Sequence, residues 1–492
     1  MPRRLVLVLA ALILLAARPT PPDADVTDSD GVWRQFDGGV GGCKPRSVIT
    51  SQNVRELGVA WQAVLPEASD GSPVFVSAVE TRRGVRDLLV VNTTAGRLVA
   101  IDANTGGRIW QTSPPEGPRW TTSSPAVDPS GKFVFGYALD GYVHRYLLAT
   151  GEEIFGPGWP ALITLKGEVE KGSSDITIAT ARNRRTYLYM TIAAYPDPGD
   201  EGDYQGHLVT VDIESGEQHV FNALCSDRDA HLSWGDCSSL QAGIWARAGA
   251  VYDPLTDRIF VTTGNGPFDA GDGGHDWGTS VVALRPDGTT DGGTPVDSYT
   301  PENYQELTDE DLDLSSTTIE PLPTFRRSWP RLGVQSGKDG QLRLLNLKDL
   351  SGAGGPGNLG GALQIVDLPQ GHTVLTQPQA WLDGRRTWVF VANNHGIAAF
   401  ELIADPDGDP ELVLRWNSSE LHGTTPIIVN RVLYLASPHT FTAIRPTTGA
   451  VLWQDKKIGD IHWQSPIIIN DMVYLADNGG YVTAYSLSRT GG

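Results

Sequence analysis

Residues 98–110 read LVAIDANTGGRIW, in which apolar and polar residues alternate before a Thr-Gly pair and a closing tryptophan. Near the other end of the chain, residues 441–453 read FTAIRPTTGAVLW with the same spacing between strand, Thr-Gly and Trp. Such alternation is typical of a half-buried β-strand, and a Gly-containing pair between two strands favours a hairpin turn. The chain therefore carries a strand–turn–strand unit more than once.

The strand pattern of residues 98–102 recurs along the whole chain. Eight copies begin at Leu98, Val143, Leu208, Val281, Leu342, Ile397, Phe441 and Val482. A run rich in β-branched and aromatic residues precedes each copy, and in most repeats a further short strand follows it. Repeats of about 40–50 residues with four strands are typical of propeller blades. The sequence predicts an all-β fold, an eight-bladed β-propeller of four-stranded antiparallel blades.

The eighth copy has almost no chain after it, so its outer strand has to come from elsewhere. Residues 58–65, GVAWQAVL, have the composition of the other outer strands and precede the first complete blade. We predict that they pair with residues 481–486 and close the ring by joining the N- and C-terminal strands. A closed ring leaves no exposed strand edges between blades.

Aromatic residues end most of the predicted outer strands. They are Trp110, Phe155, Phe221, Tyr299, Trp416 and Trp453. A large flat ring at this position can cover the backbone of the next blade and bury about 150–250 Å². The same residues would then serve as core residues and as contacts between blades.

The N-terminus has the pattern of a targeting segment. Two arginines precede an apolar run, so we expect residues 1–17 to be a signal peptide or an N-terminal anchor. Residues 18–30 are rich in Pro and Asp and are predicted to be a disordered linker, followed by the propeller over residues 31–492. The protein is therefore expected to be exported, with membrane contact only through an uncleaved N-terminal segment.

Export makes disulfides possible. Cys225 and Cys237 lie in one polar loop and form the favoured pair, although the sequence leaves pairings with Cys43 open. There is no Cys-x-x-Cys-His segment, so we expect no covalently bound haem. The net charge of −20 argues against nucleic-acid binding, because an acidic surface repels phosphate.

The tryptophan unit resembles the signature A-x-D-x-x-T-G-x-x-x-W of quinoprotein-type propellers, the family of the pyrroloquinoline quinone (PQQ) dehydrogenases. The matching residues are Ala100, Asp102, Thr105, Gly106 and Trp110. The resemblance covers roughly residues 31–487 and implies the propeller fold. It does not fix an activity, because the same fold serves non-catalytic members such as the scaffold lipoprotein of outer-membrane barrel assembly.

The resemblance also implies site residues for PQQ and Ca²⁺. Asn265 falls on the metal-ligand position, and Asp311 falls on the position of a catalytic base that also meets the metal. Trp245 corresponds to the ring that stacks under the quinone, and Lys338 to the cation that contacts it. Each residue also has a structural interpretation: a turn asparagine, a solvated acidic loop, a packing tryptophan and an exposed turn lysine.

Two features of the dehydrogenases do not match. There is no adjacent pair of cysteines, and residues 172–179, GSSDITIA, differ from the segment that supplies a metal-binding glutamate. We therefore expect a non-catalytic binding or scaffold propeller that recognises an unidentified protein or small-molecule ligand. The alternative is a PQQ- and Ca²⁺-dependent alcohol or sugar dehydrogenase that passes electrons to a separate acceptor.

Overall fold

Eight antiparallel sheets follow one another around a ring in the computed structural model. The structure describes residues 31–39, 47–117, 119–195, 203–352 and 354–487. The predicted all-β, eight-bladed propeller is confirmed. The helical segments of the described chain are the α-helix Tyr304–Asp309 and the short 3₁₀ turns Phe36–Gly38, Val54–Glu56, Ala270–Asp272 and Leu314–Ser316.

The blades are numbered here in chain order. Blade 1 contains Val74–Thr81, Gly84–Asn92, Leu98–Asp102 and Arg108–Gln111. Blade 2 contains Ala126–Val127, Phe133–Tyr137, Tyr142–Leu147 and Ala161–Leu162. Blade 3 contains Glu170–Lys171, Thr177–Thr180, Thr186–Ala194, His207–Asp212 and Gln218–Asn222. Blade 4 contains Val251–Asp253, Arg258–Thr262, Val281–Leu284 and Asp297–Tyr299.

The second half of the ring repeats this arrangement. Blade 5 contains Glu320–Pro321, Leu332–Ser336, Gln341–Asn346 and Gln364–Asp367. Blade 6 contains Gln379–Asp383, Arg386–Asn393, Gly396–Ala404 and Pro410–Ser418. Blade 7 contains Ile427–Val429, Val432–Ser437, Thr440–Ile444 and Val451–Asp455. Blade 8 contains Ile467–Ile469, Met472–Ala476, Tyr481–Leu487 and the N-terminal strand Leu57–Val64.

Blade 8 closes the ring as predicted. Leu57–Val64 runs antiparallel to Tyr481–Leu487, from the pair Leu57↔Leu487 to the pair Val64↔Tyr481. The two strands come from opposite ends of the propeller sequence and pair with each other. The first and last parts of the propeller therefore stabilise each other.

Two blades depart from the four-stranded plan. The short strand Val32–Trp33 adds to the first strand of blade 1 and makes a five-stranded sheet. In blade 3 the inner edge is shared by two short strands, Glu170–Lys171 and Thr177–Thr180. The sequence missed both, because strands this short carry no readable alternation.

The segment that begins with Val32–Trp33 crosses the inside of the ring. The Ile178 N–H donates to Gln35 Oε1 at 2.8 Å in blade 3, and Gln379 Nε2 donates to Asp37 Oδ2 at 2.9 Å in blade 6. Phe36 packs with Ala248 and Val251 at the entry to blade 4. This plug links separate blades and lies directly next to the segment that carries the candidate site.

The tryptophan of the opening unit connects neighbouring blades. Trp110 Nε1 of blade 1 donates to Leu148 O of blade 2 at 2.9 Å, and the indole covers Gly151, whose added Cβ would lie 2.6 Å from the ring. The same donation recurs from Trp61 to Ala103 O, from Trp416 to Pro446 O and from Trp453 to Leu57 O. The repeated sequence therefore encodes contacts between blades, as predicted.

Phe155 does not follow this pattern, and its assignment to an outer strand was wrong. It is 69% exposed, and the outer strand of blade 2 is Ala161–Leu162 instead. The backbone around Gly158 packs directly on the turn at Gly216 in the next blade. At this boundary a backbone contact takes the place of the aromatic ring.

The predicted disulfide between Cys225 and Cys237 is present. Cys43 and residues 1–30 lie outside the described residues, so their assignments stay predictions. In the part of the chain that is described, no helix is long and apolar enough to span a membrane.

Candidate active site

The connections of an antiparallel propeller emerge alternately on two faces. The loops between second and third strands and the loops that join one blade to the next emerge on the same face, called here the site face. Asn265 and Lys338 lie in second-to-third-strand loops of blades 4 and 5, and Trp245 and Asp311 lie in the loops that enter those blades. Four separate loops therefore bring the four predicted residues to one face.

Lys338 is the centre of the cluster. Its ammonium lies 2.6 Å from Asp313 Oδ2 and 3.1 Å from Asp311 Oδ2. It also lies 5.5 Å from the centroid of the Trp245 ring, which is within the range of a cation–π interaction. The backbone fixes this geometry further, because the Lys338 N–H donates to Asp313 O at 3.0 Å.

Asn265 holds the other side of both carboxylates. Its backbone N–H donates to Asp313 Oδ1 and its Nδ2 donates to Asp311 Oδ1, both at 2.8 Å. Its amide Oδ1 is buried and accepts no hydrogen bond from the residues that the structure describes. A buried acceptor without a partner is costly in a folded protein and suits a site that takes up a cation or a donor group.

The two carboxylates differ in their surroundings. The Asp311 side chain is 78% exposed, whereas that of Asp313 is 13% exposed. Burial raises the pKa of the Asp313 carboxyl, and Lys338 opposes this shift only in part. Burial also disfavours the Lys338 ammonium, but Asp313 and Asp311 together outweigh it and raise the pKa of Lys338. The cluster therefore keeps a charged lysine beside one accessible and one enclosed carboxylate.

A second buried ion pair lies in the adjoining loops. Asp175, the acidic residue of the segment 172–179, is 3.1 Å from Arg247 Nη2. Arg247 also donates to Thr122 O at 2.7 Å and to Ser173 O at 2.9 Å. Burial raises the pKa of Asp175 despite this pairing. Arg247 lies two residues after Trp245, so the pair fixes the segment that presents the tryptophan ring.

The structure thus brings together all four residues that the sequence singled out, namely Trp245, Asn265, Asp311 and Lys338. Sequence reasoning did not assign a role to Asp313, although the spacing Asp311-x-Asp313 was its signal. It also rejected residues 172–179 as a match and so missed the pairing of Asp175 with Arg247. No spacing in the sequence indicates that pair, because the two residues are far apart along the chain.

The cluster fits a flat ring and a hard cation. Trp245 is half-buried and offers a ring surface next to Lys338. Asn265 Oδ1 and the Asp311 carboxylate are the oxygen ligands that Ca²⁺ prefers. No cluster of three or more His, Cys, Asp or Glu suited to a metal occurs in the described chain, so an amide oxygen would have to complete the set.

Comparison with known proteins identifies the family of the propeller. Residues 33–290 match the family described as "PQQ: Glucose/ethanol/alcohol dehydrogenase, beta-propeller domain". The chain belongs to this family. A curated relative is the dehydrogenase subunit of the quinone alcohol dehydrogenase of Gluconobacter oxydans, 24% identical over 281 residues. That alignment covers 49% of this chain but only 34% of the relative, so the chain matches about a third of that protein.

Solved structures share the fold over most of the chain. A europium-containing methanol dehydrogenase superposes with a TM-score of 0.66 at 14% identity and covers 93% of this chain and 98% of its own. BamB from Moraxella catarrhalis superposes with a TM-score of 0.52 at 12% identity, covering 87% of this chain and 99% of its own. At these identities the likeness shows the propeller fold alone.

Proposed function

We propose that the Lys338 cluster binds a pyrroloquinoline-quinone-type cofactor and that the protein uses it to oxidise an alcohol. The observation that carries the proposal is the convergence of Trp245, Asn265, Asp311 and Lys338 from four loops onto one site. Membership of the quinoprotein family supports the same conclusion, and the match to alcohol dehydrogenase relatives favours an alcohol as substrate.

Each residue would have a distinct part in holding the cofactor. Trp245 would stack against the flat ring system, and Lys338 would donate to a carbonyl oxygen. Asn265 Oδ1 and Asp311 would bind Ca²⁺. A bound quinone would supply the two-electron acceptor that oxidation of an alcohol requires.

Asp311 is the candidate general base. Its carboxylate is exposed to incoming substrate, while Asn265 Nδ2 and Lys338 Nζ hold the orientation of its oxygens. An oriented, accessible carboxylate can take the proton of an alcohol hydroxyl at Oδ2 as the hydride departs. Asp313 is enclosed, and its carboxylate instead fixes the position of the Lys338 ammonium.

The test combines binding with turnover. PQQ is added to the purified protein together with Ca²⁺ or with Eu³⁺. Calorimetry measures the binding of PQQ, and a dye-linked assay measures the oxidation of an alcohol. We expect binding and dye reduction, with weaker PQQ binding in Lys338→Ala and Asn265→Ala. Lys348→Ala, an exposed lysine on the opposite face of blade 5, is the matched control. Absence of PQQ binding at tens of micromolar would refute the dehydrogenase proposal.

A non-catalytic binding propeller is the second candidate. The observation that favours it is the charge balance of the site, in which Lys338 pairs with Asp311 and Asp313 and Arg247 pairs with Asp175. These acidic groups are neutralised without a metal ion. Failure to bind PQQ, together with an intact fold, would support this candidate.

We further propose that the protein is exported. The disulfide Cys225–Cys237 supports this location, because disulfides persist in oxidising compartments. Electrons from a reduced cofactor would pass to a separate acceptor. In the test the dye takes the place of that acceptor, so the assay measures alcohol oxidation by the propeller without a second protein.

A further inference from the structure

Two enclosed lysines lie at the entry to blade 3, and only one of them is paired. Lys166 Nζ lies 2.9 Å from Glu170 Oε1 and also donates to Gln205 Oε1. Lys171 is 5% exposed, yet no hydrogen bond or ion pair reaches its ammonium from the residues that the structure describes. An enclosed charge without a counter-charge is costly, so burial at this position favours the neutral amine.

Strand pairing places Lys171 at the site face. The second strand of blade 3, Thr186–Ala194, ends at this face, and Lys171 pairs with Ala193 near that end. Thr121 Oγ1 donates to Gly172 O at 2.9 Å, which fixes the loop between blades 1 and 2 beside the lysine. Lys171 therefore lies on the innermost strand of its blade, at the end that the site-face loops surround.

Aromatic rings lie next to the ammonium where a carboxylate would be expected. Lys171 Nζ lies 5.2 Å from the ring centroid of Trp120 and 5.9 Å from that of Tyr195. Burial raises the pKa of Tyr195 to about 12, so its hydroxyl is neutral and supplies no counter-charge. Ring faces attract an ammonium less strongly than a carboxylate does. Trp120 is 37% exposed and the lysine Nζ is not fully enclosed, so the amine has an open side.

The surrounding charges leave the neutral amine accessible near neutral pH. Burial lowers the pKa of Lys171 to about 8; Asp70 opposes this shift, and Arg247 adds to it. Arg119 is a further cation on this side, with its guanidinium 4.8 Å from the Tyr195 ring centroid. At pH 7 about a tenth of such amines are neutral, compared with about one in two thousand for an ordinary lysine. A desolvated lysine beside another cation is an activated nucleophile.

We propose that Lys171 is a carbonyl-binding residue that forms a reversible imine with a small, uncharged aldehyde. The amine nitrogen bonds to the carbonyl carbon, and one N–H proton passes to the carbonyl oxygen. The C–O bond then breaks as the hydroxyl takes up the second N–H proton and leaves as water, so nothing is oxidised or reduced. Asp70 and Arg247 present opposite charges, which favours an uncharged ligand. The inference goes beyond the proposed function and requires no PQQ.

The experiment labels the full chain with propionaldehyde and sodium cyanoborohydride, without added PQQ. Cyanoborohydride reduces an imine to a stable propylamine, and peptide mass spectrometry then measures labelling at each of the eight lysines of the chain. At pH 7 we expect Lys171 to be labelled at least about tenfold faster than the exposed Lys348, because its neutral fraction is larger. Lys166, which is equally enclosed but paired, is the matched control and should stay unlabelled.

The pH dependence and one variant test the cause of this reactivity. The ratio of labelling at Lys171 to labelling at Lys348 should fall as the pH rises to about 10, where the exposed amine also loses its proton. Asp70→Asn should raise the ratio at pH 7, because it removes a charge that favours the ammonium. Asp291→Asn, a substitution of an aspartate that is 82% exposed, should leave the ratio unchanged.

The outcomes separate this inference from the proposed function. Labelling of Lys171 no faster than that of Lys348 at pH 7, or a ratio that stays constant with pH, would overturn the imine site. Preferential labelling of Lys171 in a protein that fails to bind PQQ would overturn the proposed function and retain the imine site.

Discussion

Lys338 Nζ lies 2.6 Å from Asp313 Oδ2 and so links the second-to-third-strand loop of blade 5 to the loop that enters this blade. The lysine side chain is 19% exposed and the aspartate side chain is 13% exposed. Removing charges from water is expensive, so such a pair is stable only while both partners are present. The candidate site therefore depends on a charge balance that a single substitution can break.

Lys338→Met should destabilise the fold at neutral pH. The variant keeps most of the side-chain length but leaves the Asp313 carboxylate enclosed and unpaired. Breaking a buried pair costs about 3 kcal/mol. The loss should shrink as the pH falls, because Asp313 can then bind a proton and become neutral. Urea unfolding at pH 8 and pH 5 measures both effects.

Two controls accompany this measurement. The double variant Lys338→Met with Asp313→Asn should recover most of the stability, since no enclosed charge remains. Arg285→Met removes a pair whose aspartate, Asp291, is 82% exposed, and should cost less than about 1 kcal/mol. Equal losses in Lys338→Met and Arg285→Met would show that the Lys338 pair is not an enclosed one.

The fold could be predicted because the same local signal recurs in most blades. Alternation, a turn glycine and a closing tryptophan recur, and the tryptophan of one blade meets the turn of the next, as Trp110 meets Gly151. The ring closure followed from counting strands. The plug around Phe36 could not be predicted in this way, since its contacts are single long-range hydrogen bonds and one small apolar cluster.

The site was predictable residue by residue but not as a network. Trp245, Asn265, Asp311 and Lys338 were identified from family motifs, and the structure places them together. The burial of Asp313 depends on how two loops pack, which local sequence does not encode.

Gly151→Ala should destabilise the protein more than a matched glycine substitution. Gly151 has φ 71° and its added Cβ would lie 2.6 Å from Trp110, whereas Gly384 has φ 65° with no atom within 4 Å. Gly384→Ala thus reports backbone strain alone, about 1–2 kcal/mol. Gly151→Ala should add about 1–3 kcal/mol from overpacking against the indole. Thermal unfolding compares them, and equal losses would mean that the Trp110 contact is loose.

Truncation after Gly480 should destabilise the entire propeller. It removes the strand Tyr481–Leu487 and leaves Leu57–Val64 without its partner, so the ring opens at blade 8. We expect a markedly lower Tm and a broader, less cooperative unfolding transition in calorimetry. Truncation after Leu487 keeps the strand and is the control. If the two truncations unfold at the same temperature, blade 8 does not hold the ring closed.

His231 should make the protein less stable as the pH falls below about 6.5. Burial lowers the pKa of His231 to about 4, with a smaller contribution from His207. Its Nε2 donates to Gln218 Oε1 at 2.9 Å, and its buried Nδ1 has no hydrogen-bond partner among the described residues, so a proton on Nδ1 would lack an acceptor and the folded state favours the neutral ring. The unfolded chain binds the proton near pH 6.5 and the folded chain only near pH 4. The stabilisation is therefore complete above pH 6.5 and is lost between these values, by about 1–2 kcal/mol at pH 5.

His231→Gln should remove this part of the pH dependence of urea unfolding, while His395→Gln, a substitution of an exposed histidine, should leave it in place. Identical pH profiles for the wild type and His231→Gln would show that His231 titrates normally in the folded protein.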